Sequence, residues 1–84
     1  MKIIKISALW CPSCLIMNDI VNEAVKDANT KLISYDFDLD QDIVEKYNIG
    51  DKLPVLIKLD DNDNEISRII GEHTKSEIDK FIEG

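Results

Sequence analysis

Trp10-Cys11-Pro12-Ser13-Cys14 holds both cysteines of the chain, directly after the β-branched run Lys2-Ile3-Ile4-Lys5-Ile6-Ser7 and directly before Leu15-Ile16-Met17-Asn18. A two-residue spacer lets one sulfur reach the other within a single turn. Such a pair closes a small, strained and readily reducible disulfide, whereas stabilising cross-links usually close long loops. The placement therefore points to redox chemistry, with metal ligation as the competing use of the same two thiols.

Outward from this motif, Lys2 to Ser7 is short and apolar enough for a buried strand. Pro12 suits the first turn of a helix, where its missing N–H is no loss. Leu15, Ile16, Ile20, Val21, Ala24, Val25 and Ala28 recur at three- and four-residue spacing, which predicts an amphipathic helix ending near Asn29-Thr30. From Lys31 to about Leu39 the pattern has period two with one largely polar face, so an edge strand is expected. Asp40 can cap a short helix carrying Ile43, Val44 and Tyr47, closed by Asn48-Ile49-Gly50.

Pro54 to Leu59 reads as a third strand, Asp60 to Asn64 as a turn, and Glu65 to Ile70 as a fourth strand ending at Gly71. So tight a connection predicts an antiparallel hairpin. Thr74 or Ser76 opens a last helix with Ile78, Phe81 and Ile82 on one face. The predicted order is βαβαββα in one domain over residues 1–84, an α/β fold with a four-stranded mixed sheet flanked by helices. A right-handed βαβ crossover sets the first two strands parallel and gathers strand C-termini around the CxxC.

Bulk properties narrow the function. The chain has 84 residues, 44% of them hydrophobic, and a formal net charge of -7, which disfavours nucleic acid and anionic membrane surfaces as partners. No apolar run reaches the length of a membrane span. Lys5 interrupts the N-terminal apolar stretch, and cleavage soon after it would remove the cysteines, so no signal peptide is read. A cytoplasmic, reducing compartment and a monomer are the expectations, and there a CxxC is more often catalytic or metal-binding than structural.

At a helix start, Cys11 meets unpaired N–H groups and the positive end of the macrodipole, both of which favour a thiolate and a lowered pKa. Cys14, one turn inward, is expected to be shielded and less acidic. Cys11 is thus the candidate nucleophile and Cys14 the candidate resolving thiol. Zinc wants four ligands, and His73 is the one further soft donor, so no metal site is expected within the chain. His73 reads as a surface residue at a helix entrance.

Trp10-Cys11-Pro12-Ser13-Cys14 after the first strand, Leu53-Pro54 opening the third, and Gly71 closing the fourth together resemble the thioredoxin/glutaredoxin superfamily across essentially the whole chain. The resemblance implies a thioredoxin fold and thiol-disulfide oxidoreductase activity, with the Cys11–Cys14 disulfide as the redox centre and no separate cofactor. It implies that Pro54 follows a cis peptide bond and packs on the cysteines. It further implies that Leu53 offers backbone hydrogen bonds to an extended substrate, while Trp10, Pro12 and Gly71 line the docking groove. Read from the residues alone, Pro54 is a strand-opening proline, Trp10 a partly buried aromatic and Gly71 a turn glycine.

The chain departs from that family in three ways. It lacks the additional N-terminal strand and helix of full-length thioredoxins and is closer to the compact, glutaredoxin-sized form. Lys5 stands six residues before Cys11, where thioredoxins usually carry a buried acid. Ile70-Gly71-Glu72 has one glycine followed by an acid where glutaredoxins show a glycine pair, and Leu15 is apolar. The acidic chain repels the glutathione tripeptide, so protein disulfides as substrates and a thioredoxin-reductase-type electron donor are expected instead.

Two acidic groups have simple readings. Asp60-Asp61-Asn62-Asp63-Asn64-Glu65 lacks the glycine and glutamate spacing of a calcium loop and reads as a solvated turn. Asp36, Asp38, Asp40 and Asp42 read as a solvated edge face, with selection of basic partners as the alternative. Two other functional classes stay open: a ferredoxin-like βαββαβ metal carrier, which usually has methionine where this chain has Leu9, and a non-catalytic binding protein controlled by its disulfide.

Overall fold

The computed structural model describes residues 1–84. Its elements are β1 (Lys2–Ser7), α1 (Pro12–Asp27), β2 (Lys31–Asp36), α2 (Gln41–Lys46), β3 (Val55–Leu59), β4 (Glu65–Ile70) and α3 (Lys75–Glu83). This is the expected βαβαββα order, and it differs from the βαββαβ of the ferredoxin-like alternative. The four strands are arranged β2-β1-β3-β4. β1 runs parallel to β2 and antiparallel to β3, and β3 and β4 form the antiparallel hairpin.

Burial follows that order. Ile3, Ile4 and Ile6 of β1 and all of β3 are buried, whereas edge strands β2 and β4 hold no fully buried residue. Alternation along the central strands splits the core between the sheet's faces. Ile3 and Leu56 pack with Met17, Val21 and Ala24 of α1 and with Ile78 and Ile82 of α3. Ile4, Ile6, Val55, Ile57 and Leu59 form the other cluster, which contains both cysteines and takes in Ile43 and Val44 of α2. Each such aliphatic side chain contributes about 1.5–3 kcal/mol when fully buried.

Local chemistry sets the boundaries. Cys11 occupies the N-cap of α1 with extended backbone, and Pro12 begins the helix. Asn29, at φ 51°, turns into the left-handed region and stops it. β2 ends at Asp36, three residues short of the expected Leu39, because the Asp36 carboxylate accepts the N–H groups of Asp38 and Leu39 at 2.9 and 3.0 Å and bends the chain. Asp40 stands at the N-cap of α2 but makes no side-chain cap. Its carboxylate instead accepts the Asp36 N–H at 2.8 Å. α2 closes at Asn48, whose φ of 52° does what was expected of the Asn48–Gly50 segment.

The hairpin turn is built by Asp60, whose carboxylate accepts the N–H groups of Asn62 and Asn64 at 2.8 and 2.9 Å. The β3–β4 register shifts between Lys58 and Leu59. Thr74 begins α3 through a full capping box with Glu77. Buried Lys58 donates from Nζ to the Phe81 carbonyl at 3.3 Å, placing a cation at the C-terminal end of α3.

Candidate active site

The loop from β1 to α1 carries Leu9 and Trp10 outward and turns Cys11 in. Cys11 N–H donates to the Ala8 carbonyl at 3.2 Å, fixing the turn. Both cysteines are free and buried, Cys11 at 6% exposure and Cys14 at 1%, so Cys11 is the more exposed residue of the two. Cys11 Sγ accepts the Cys14 backbone N–H at 3.3 Å, and its S–H donates to the Leu53 carbonyl at 3.6 Å. The Cys14 N–H, one of the free donors in the first turn of α1, therefore points at Cys11 Sγ.

Cys14 differs sharply. Burial chiefly, and then the hydrogen bond with the Cys11 sulfur, push its thiol up to about 11; the Ala8 backbone and the Lys5 ammonium pull the other way. Burial penalises the charged form, so Cys14 rests as a thiol.

The Leu53-Pro54 bond is cis, the geometry that the resemblance implies. Pro54 is fully buried, and Leu53 belongs to the same cluster as the two cysteines. Gly71 N–H donates to the Pro54 carbonyl at 2.8 Å, tying the end of β4 to the proline. Gly71 has φ 87°, and no atom lies within 4 Å of where a Cβ would stand, so its backbone conformation rather than lack of space calls for glycine. Pro12 takes the first helical position beside Cys11. Cys11, Cys14, Leu53, Pro54 and Gly71 thus converge at one pole of the sheet.

Trp10 turns toward the end of β2 instead. Its ring meets Phe37 edge-on, centroids 5.9 Å apart, and Nε1 donates to the Asp38 carboxylate at 2.7 Å. Asp38 is thereby more than part of a solvated edge: it holds the residue preceding Cys11. Asp36 and Asp40 are used in the turn described above. The sequence signal for Asp38 was the expectation that β2 ends at the cysteine pole, though spacing alone does not reveal an indole partner.

Leu9, Trp10 and Leu15 remain 88%, 56% and 62% exposed around the cysteines. His73 lies at the entrance to α3, its ring Nε2 3.2 Å from the Ile70 carbonyl and its backbone N–H donating to Met17 Sδ at 3.4 Å. No helix is long and apolar enough to cross a membrane.

The family model for thioredoxin matches residues 1–84, the whole chain. The chain belongs to the thioredoxin family. Among solved structures, thioredoxin 1 of Thermosipho africanus TCF52B superposes with a TM-score of 0.87 at 23% identity, covering 99% of this chain and 91% of that one. A reduced Schistosoma mansoni thioredoxin pre-protein gives a TM-score of 0.87 at 20% identity over 96% of this chain and 74% of its own. Plasmodium falciparum thioredoxin gives 0.86 at 24% identity over 98% and 82%. A search of curated protein sequences found no significant match. At these identities the structures establish a shared thioredoxin fold, and family membership supports thiol-disulfide oxidoreductase chemistry in general.

Proposed function

We propose that this chain reduces disulfides in protein substrates by dithiol exchange, with Cys11 as nucleophile and Cys14 as resolving thiol. The observation that carries the reading is the unequal setting of the two sulfurs: Cys11 Sγ receives the Cys14 N–H at the head of α1, while Cys14 lies deeper and is held protonated. Cys11 thiolate attacks one sulfur of the substrate disulfide, forming a mixed disulfide and releasing the first substrate thiol. Cys14 then loses its proton and attacks Cys11 Sγ. The Cys11–substrate bond breaks, the second thiol leaves with a proton, and the two electrons gained by the substrate leave Cys11 and Cys14 as a disulfide.

Trp10, Pro12, Leu53, Pro54 and Gly71 are the substrate-contacting residues in this reading, the exposed Leu9 and Leu15 extending the apolar rim. None of the three surface hollows is lined by either cysteine, which favours a substrate that docks on the surface over a small molecule held in a cavity. The redox centre is the cysteine pair itself, acting in a monomer without a further cofactor. A net charge of -7 and Glu72 beside Gly71 disfavour glutathione, so a thioredoxin-reductase-type donor is the proposed source of electrons, and the cytoplasm suits the reducing direction.

Insulin-disulfide reduction tests this. With dithiothreitol, wild type accelerates precipitation and Cys11→Ser does not. NADPH with thioredoxin reductase supports turnover better than glutathione does. A wild-type rate equal to that of dithiothreitol alone removes the proposal.

A further inference from the structure

We propose that Lys5 is a positioning residue for the resolving step, the buried positive charge against which Cys14 ionises. This inference rests on the exchange reading above. Lys5 lies in the middle of the central strand β1 and is buried at 6% exposure, a rare position for a lysine without a carboxylate partner. Its Nζ donates to Asn18 Oδ1 at 2.8 Å. Asn18 stands four residues after Cys14 in α1, one helical turn along the same side of the helix, so the amide oxygen holds the amine over the Cys14 turn.

Lys58 of β3, the other buried lysine and on the same face of the sheet, directs its Nζ to the Phe81 carbonyl at the C-terminal end of α3 at 3.3 Å. The lateral neighbours of Lys5, Ser34 in β2 and Leu56 in β3, are uncharged, and Asn18 of α1 is neutral. Ile78 and Ile82, which α3 buries in the core on this face, carry no charge either. The one titratable group that pulls on the Lys5 amine is Cys14; burial lowers the amine and a Cys14 thiolate raises it. Reciprocally, Lys5 lowers Cys14 against the upward push of burial.

The sign of this charge matters. A carboxylate here would oppose the Cys14 thiolate by like-charge repulsion, whereas an ammonium stabilises it directly. In the resolving step the Cys14 proton departs and passes through solvent to the leaving substrate thiolate. The Cys14 thiolate, paired with the Lys5 ammonium, forms its bond to Cys11 Sγ as the Cys11–substrate bond breaks. Lys5 carries the same charge before and after, so atoms and electrons balance without it.

Stopped-flow reaction of the reduced protein with 5,5′-dithiobis(2-nitrobenzoate) separates the two steps. Attack by Cys11 releases a first nitrothiolate and resolution by Cys14 releases a second, followed from pH 6 to 10. Each unit by which Cys14 rises removes tenfold in thiolate and returns about threefold in nucleophilicity, so resolution slows about threefold per unit. Lys5→Met keeps the first release within twofold of wild type. It slows the second by at least threefold at pH 7, which displaces the rising pH profile upward by about half a unit or more across this range. Lys5→Arg restores the wild-type profile.

Coincident second-phase profiles in wild type and Lys5→Met overturn the proposal, as does equal slowing of both phases. Should Lys5→Met fail to fold, Asn18→Leu carries the test: an upward shift of the second profile supports the proposal and an unchanged one overturns it. A wild-type protein that releases one equivalent only overturns the exchange reading itself, and this inference with it.

Discussion

Cys14 is expected to be nearly inert toward alkylation in the folded protein, by an amount that its setting defines. Burial raises its thiol from 9.0 to about 11. At pH 7 about one Cys14 in ten thousand is a thiolate, against about one in a hundred for an unshifted thiol. The more basic sulfur is the better nucleophile, which returns roughly eightfold of that hundredfold deficit and leaves a net slowing of about tenfold. An exposure of 1% slows it further by restricting access.

The assay is iodoacetamide labelling of Cys11→Ser, folded and in urea, followed by mass spectrometry from pH 7 to 11. Serine keeps a hydrogen-bonding oxygen near Cys14 and leaves its burial, the main cause of the shift, intact. The folded protein reacts at least tenfold more slowly at pH 7, and its rate still climbs beyond pH 9.5 where the unfolded chain levels off. Equal rates, or a folded profile that levels off at or below pH 9, would refute the argument that burial keeps Cys14 protonated.

Gly71→Ala forces a side chain onto a φ of 87° and lowers stability by about 1 kcal/mol, or roughly 4–8 °C in Tm, while Gly50→Ala, where φ lies outside the left-handed region, is neutral or raises Tm. Thermal melts that move both variants the same way contradict this reading of Gly71. Thr74→Ala removes the α3 cap and costs about 1 kcal/mol. Hydrogen bonds from the Thr74 backbone and hydroxyl hold Glu77 below its ordinary 4.5, so its contribution is present above that value and is lost as pH falls through the lowered one. The Tm gap between wild type and Glu77→Gln accordingly closes on acidification below pH 4.5. Asp38→Ala frees the Trp10 indole and shifts its fluorescence to the red with a Tm change of no more than about 8 °C, since a single exposed hydrogen bond contributes about 1 kcal/mol. An unchanged emission spectrum argues against the Asp38 contact.

The elements were legible where a single periodicity ruled. Lys2–Ser7 and Pro12 onward were readable because β-branched residues and three-four spacing leave one solution each. Period two over Lys31–Leu39 overran the strand because Asp36 fits an alternating pattern equally well as a strand residue or as the acceptor that ends it. Asp40 was readable as a cap by residue type, yet its carboxylate is used by Asp36, a choice between two nearby N–H donors that spacing does not decide. The cysteines were readable in place, at the head of α1, and the cis Leu53-Pro54 bond came from the family resemblance, since a strand-opening proline is ordinarily trans. Neither the Trp10–Asp38 bond nor the Lys5–Asn18 pairing could be read ahead, because each joins residues whose facing depends on how elements pack.

The central claim is that Cys11 attacks and Cys14 resolves, and covalent trapping tests it most directly. Reduced Cys14→Ser and Cys11→Ser are each incubated with a disulfide-linked protein substrate, and the adducts are mapped by mass spectrometry without reductant. The account predicts a stable mixed disulfide on Cys11 in Cys14→Ser and little or none on Cys14 in Cys11→Ser. An adduct that forms readily on Cys14 and not on Cys11 contradicts it.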